Sequence, residues 1–223
     1  MKQDKVEMIV AALSEKASLK QLIFRNTKEV FSNLKVVAET LANELSSRFA
    51  GIDESVVIEY DDMNEFEFRI KFSGDLLMFT MHSNIIAFTP EHILTKSPYI
   101  QEDYRRGYYG TIMVYNFMAD SIKYNRLNDP GYLVARMMLN GDQHFYIEGV
   151  RQLNFLYPDI AQNVINSNIL RLFVESVILV SINNDLVAPA YQDIQLIPLG
   201  KKLANQMVFG GEKLGFQMSS QQD

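Results

Sequence analysis

Two short runs hold the side chains whose types and spacing could do chemistry. The first, EDYRRGYYG from Glu102 to Gly110, sets Tyr104, Arg105, Arg106 and Tyr108 within five residues of one another. Adjacent guanidinium groups beside phenol rings can hold a carboxylate or phosphate through charge-assisted hydrogen bonds, or stack on aromatic faces. Glu102 and Asp103 stand next to them, so the competing expectation is local neutralisation, with Tyr109 opening a strand. Gly107 and Gly110 would let a backbone approach closely. The second group is Arg136, His144, Tyr146 and Glu148. In a cleft, His144 could act as a base oriented by Glu148; on a surface the four form only a hydrogen-bonded cluster. These eight residues are the candidate binding set, and no catalytic residue is assigned.

Other chemistries find little support. The chain lacks cysteine, which removes disulfide scaffolds, thiolate metal sites and thiol nucleophiles. Its histidines are His82, His92 and His144. Combining His82 or His144 with Glu148 gives a conceivable metal site that the spacing does not demand, so neither metal nor cofactor is expected. GGEKLG at 210–215 lacks phosphate-loop spacing, and no dinucleotide, zinc-protease or serine-hydrolase signature occurs. From Gly51 to Asp75, the latter included, there are eight carboxylates, but without the glycine and ligand order of a calcium loop. The net charge of −6 gives no general footprint for nucleic acid or anionic lipid. The run MKQDKVEMIVAALSEKA breaks its apolar residues with charge, and VILV is too short to span a bilayer; a soluble cytoplasmic protein without membrane or nucleic-acid contacts is the expectation.

The elements that must position these groups follow from periodicity. Residues 4–50 read as two helices, the second capped near Asn26 or Thr27 and stopped by Gly51. Phe31, Leu34, Ala38, Leu41 and Leu45 alternate spacings of three and four, and Val30, Val37 and Ala42 widen the stripe. Such a stripe suits a helix lying on a sheet, and it could also form a dimer seam. Val56–Tyr60 reads as a strand followed by an Asp-Asp-Met-Asn turn. Phe66, Phe68, Ile70 and Phe72 then alternate with charged residues, which predicts a strand with one wet face. Leu76–His82 and Ile85–Phe88 read as separate strands, and Pro90 and Pro98 bracket a connection with room for one helical turn.

Tyr109–Ala119 is apolar on both sides, so something must cover its second face. Residues 132–149 predict a hairpin around Asn140-Gly141-Asp142. A three-residue loop with a glycine-assisted bulge groups Leu133, Ala135, Met137, Phe145 and Ile147, opposite Arg136, His144, Tyr146 and Glu148. A helix is expected from Pro158-Asp159 to about Ile182, and the final SSQQD is expected to be disordered.

The fold class is therefore α+β: an antiparallel sheet of six or seven strands with long N-terminal and C-terminal helices packed on it. Residues 1–25 form a helical extension, 26–182 the domain, and 183–223 a C-terminal extension. This element order resembles that of secretion-chaperone-like two-layer folds; no motif carries the likeness, and no family is inferred from it. The functional expectation is a non-enzymatic protein-interaction or adaptor domain, homodimeric, with an unknown protein partner. The alternative is a small-molecule binding protein with an apolar or anionic ligand between the sheet and the C-terminal helix.

Overall fold

In a computed structural model, which describes residues 4–150, 153, 156–185, 188, 190–196 and 199, the chain is α+β. Six strands run in sequence order as one antiparallel meander: β1 (Ile58–Asn64), β2 (Glu67–Phe72), β3 (Asp75–Ala87), β4 (Tyr108–Met118), β5 (Tyr132–Leu139) and β6 (Phe145–Gly149). The helices are α1 (Lys5–Ala12), α2 (Ser18–Phe49), α3 (Pro98–Glu102), α4 (Ala119–Lys123), α5 (Ser167–Ile182) and α6 (Tyr191–Ile194). The expected disorder at SSQQD lies outside the described residues.

One face of the sheet is the core. Phe68 and Ile70 of β2, Leu77 and Phe79 of β3, Ile112 and Val114 of β4, Met137 of β5 and Ile147 of β6 are paired neighbours across the strands, and all are buried. The α2 stripe closes over them: Val30, Phe31, Leu34, Ala38, Leu41 and Ala42 are buried in the same cluster. Phe31 sits 5.4 Å from the Phe68 ring, which stacks on Phe79 at 4.4 Å. The sheet-packing reading of this stripe holds, and the residues of the supposed dimer seam are consumed by the core. From α5, Phe173, Val174, Val177 and Ile178 fill the same cluster, and Arg171 ties α5 to Glu44 of α2 at 2.7 Å.

Several boundaries differ from the expected ones. The N-terminal helices are one continuous rod, α1 joined to α2 through a π-helical segment at Leu13–Ala17. Asp4 caps it, its carboxylate accepting from the Val6 amide at 3.0 Å. Asn26 and Thr27 cap nothing. Asn26 donates its side-chain amide to the Gly141 carbonyl, and the Thr27 hydroxyl donates back to the Ile23 carbonyl. Strand β1 extends through the expected turn at 61–64, and β3 continues through Ser83-Asn84, its register slipping between His82 and Ile86 against β4. Residues 157–166 are irregular rather than helical: the Phe145 amide donates to Asn163, and the Ile165 amide to Gln143. The helix begins only after Asn166, whose side chain caps Ile169.

In the β5–β6 hairpin, Arg136 faces Glu148, Met137 faces Ile147 and Leu139 faces Phe145, so the two faces segregate as the three-residue loop requires. The left-handed residue of that loop is Gln143 (φ 62°), not a glycine. Leu133 departs from its expected side. A bulge against β4 pairs Val114 with Ala135 and Tyr115 with Leu133, leaving Val134 as the extra, fully buried residue and Leu133 exposed.

The second face of the sheet is covered at one end by residues 88–107, a strap crossing between β3 and β4. Leu94 and Ile100 of the strap bury a smaller cluster with Tyr109, Met138 and Ile160. The strap answers what covers part of β4; the helical turn it was expected to hold is α3, capped by Ser97 with Pro98 at its start.

Candidate interaction site

The strap fastens itself with the residues of EDYRRGYYG. Asp103 accepts from the Arg105 backbone amide at 3.0 Å and from its guanidinium at 2.6 Å, closing a one-residue loop of charge. Arg106 reaches further. It donates to the Tyr99 carbonyl at 2.9 Å, to Glu102 at 3.0 Å and to Asp142 at 3.2 Å, and its guanidinium lies 4.3 Å over the Tyr99 ring. Arg106 therefore ties the strap to the β5–β6 loop, while Arg105 serves only its neighbour. Gly110 approaches α2 rather than a partner: a Cβ there would meet the Thr27 hydroxyl at 2.0 Å.

Tyr99 joins the two predicted groups. Its hydroxyl receives the Asn140 side-chain amide at 3.1 Å and donates to Asp142 at 3.3 Å, and its ring stacks on His144 at 4.8 Å. Burial, more than any partner, raises the Tyr99 phenol above its ordinary range. Asn140 is fully buried, and its side-chain oxygen accepts from the amides of Asp142 and His144. The loop is thus fixed from inside by one asparagine.

The structure does not form the His144–Glu148 pair. His144 places Nδ1 2.8 Å from the Ile160 carbonyl and its ring on Tyr99. Glu148 instead bonds Arg136 and lies 3.4 Å from Nε2 of His92, whose ring stacks on Phe88 at 3.9 Å. Residues four apart on a strand are separated by about 13 Å, so a shared face did not bring them within reach. Tyr146 packs beside the strap cluster, and burial with the nearby Glu148 charge raises its phenol. Among the described residues, no group of three His, Asp or Glu converges as a metal cage.

The remaining members of EDYRRGYYG meet the N-terminal rod at its π-helical segment. The Tyr104 hydroxyl donates to Glu15, a bond that raises the phenol. Lys16 and Lys20 each stand 5.9 Å from the Tyr108 ring centroid. Beyond this junction α1 contributes no buried residue. Val6, Ile9, Val10 and Leu13 are 63%, 58%, 59% and 58% exposed. Sequence reasoning missed Tyr99 and His92 as the anchors of the strap, and Glu15, Lys16 and Lys20 as the anchors of the rod. The 6-9-10-13 spacing of aliphatic residues is the signal in the sequence that points to α1.

No family model matches the chain, and no curated protein or solved structure matches it. No described helix is long and apolar enough to cross a membrane.

Proposed function

We propose that the chain is a non-enzymatic protein-interaction module whose partner-binding element is α1 with its junction to the strap. One observation carries this reading: α1, which runs on into the core helix α2, carries with Leu13 of the π-helical segment four aliphatic side chains at helical spacing, and none of them is buried. An exposed apolar stripe on a helix is what a binding surface looks like before it is occupied. The predicted polar residues support it indirectly. Arg106, Tyr99, His144 and Glu148 hold strap, hairpin and sheet together, and Tyr104 and Tyr108 hold the strap to the rod, so they brace the binding helix.

The test is a photo-crosslinking residue at Leu13 in the full chain, expressed in its native cells. A discrete crosslinked protein is expected, and it should vanish when Ile9→Asp is added. Because both positions are solvated, the double variant should melt within about a degree of the parent. A crosslink pattern indifferent to Ile9→Asp would end the proposal.

A further inference from the structure

We infer that the partner is an acidic amphipathic segment, which lies along the rod from Val6 to Lys20 with its apolar side on the aliphatic stripe and its carboxylates against Lys16 and Lys20. This rests on the interaction reading above and adds the chemistry of the partner. The four stripe residues are each more than half exposed. Glu15, two residues past the end of the stripe at Leu13, is the residue that Tyr104 holds. Lys16 and Lys20 are one turn apart and converge on the Tyr108 ring just beyond the C-terminal end of the stripe.

The charge around them is unbalanced in a specific way. The acids of the strap junction are engaged: Glu15 by Tyr104, Asp103 by Arg105, Glu102 and Asp142 by Arg106. Among the described residues, neither Lys16 nor Lys20 makes an ion pair. A chain of net charge −6 thus presents two unneutralised ammonium groups just past the C-terminal end of its exposed stripe, and Lys5, at the other end, makes no ion pair among the described residues either. From Val6 to Lys20 is about 21 Å, the length of roughly four helical turns, and an amphipathic helix with acidic residues along one edge complements both halves. Electrostatic matching of this kind sets partner choice and register more than raw affinity.

Two other occupants fit less well. Pairing α1 with a second copy so that Val6 meets Leu13 and Ile9 meets Val10 requires an antiparallel arrangement, which sets Lys5 and Lys16 on the same flank as like charges. An anionic membrane is ordinarily recognised by four to eight clustered basic residues, and here three lysines, Lys5 apart from the other two, stand on an acidic protein without an aromatic residue on α1.

The experiment is a selection of surface-displayed random 18-residue peptides on the full chain, followed by synthesis of the enriched sequences. Enriched peptides should carry Glu or Asp beside apolar residues at helical spacing. Lys16→Glu with Lys20→Glu should weaken their binding at least tenfold, the milder Lys16→Gln with Lys20→Gln by less, and lysine-for-glutamate peptides should regain binding to the reversed variant. Neutral or basic winners, no enrichment, or binding that ignores the lysines while still needing Ile9 and Leu13 overturns the acidic partner and leaves the interaction reading standing. Binding that ignores Ile9→Asp and Leu13→Asp overturns both. A concentration-dependent dimer by light scattering that Ile9→Asp dissolves, or adsorption to vesicles containing phosphatidylserine that Lys16→Glu with Lys20→Glu abolishes, assigns the surface to a second copy or to lipid and likewise overturns the inference.

Discussion

One helical rod runs through two environments. Along α2 the apolar residues at 23, 30, 31, 34, 38, 41 and 42 are buried in the core; along α1 and the first residue of the π-helical segment those at 6, 9, 10 and 13 meet solvent. Composition does not separate the two halves, since both carry aliphatic stripes at helical spacing. What separates them is a surface of matching length. The sheet ends where Gly110 and Gly141 meet Thr27 and Asn26, and the strap extends it only to Glu15. Amphipathic spacing therefore predicts a helix and a sticky face, and only the neighbouring elements decide whether that face is core or interface.

The largest expected effect tests the buried half. Phe31→Ala removes a ring buried against Phe68 and should cost about 3–5 kcal/mol of unfolding free energy, read from denaturant titration. If Phe31→Ala cost no more than Leu13→Ala on the exposed half, the comparison would collapse.

Next comes the point where the rod touches the sheet most closely. A methyl group at Gly110 would sit 2.0 Å from the Thr27 hydroxyl and 2.8 Å from its Cβ, so either the helix or β4 must shift. Gly110→Ala should destabilise the protein by about 1–3 kcal/mol. Gly141→Ala, whose nearest neighbours stand at 3.7 Å, should be nearly silent. Equal costs at the two glycines would show that the contact is looser than the geometry states.

How much of this was legible follows the range of the interaction. The α2 stripe, the alternation of β2 and the faces of the β5–β6 hairpin are periodic over many residues, and each reading held. Local exceptions were not legible. The bulge at Val134 moves Leu133 outward without any change in pattern. Ile160, Val164, Ile165 and Ile169 mimic helical spacing, yet the first three sit in an irregular segment that pairs its backbone with the β5–β6 loop. Asn26 and Thr27 read as caps because their side chains can bond a backbone; they do so, to Gly141 and Ile23, without ending the helix. At the candidate site, Arg105 and Arg106 are equivalent in the sequence. Only the fold shows that Arg106 spans three partners from two segments while Arg105 has one.

That inequality gives the third prediction. Arg106→Ala unfastens Tyr99, Glu102 and Asp142 together and should lower the melting temperature measurably, whereas Arg105→Ala should leave it unchanged within error. The reverse order would return both arginines to a free surface.

The smallest effect is a titration. Asp103 is held near a pKa of about 2, first by the hydrogen bond from the Arg105 guanidinium and then by that from the Arg105 amide. A carboxylate with a folded pKa below its unfolded one stabilises the fold above the ordinary aspartate range, and that contribution fades as pH falls toward 2. Carboxyl NMR of the wild type should therefore place the Asp103 midpoint at about 2. In Arg105→Ala the midpoint should rise but stop short of the ordinary value, because the amide bond at 3.0 Å does not need the arginine side chain. A midpoint unmoved by Arg105→Ala would mean that the guanidinium lies elsewhere in solution, free for a partner's carboxylate, and would bring Arg105 back beside Lys16 and Lys20 as part of the binding surface.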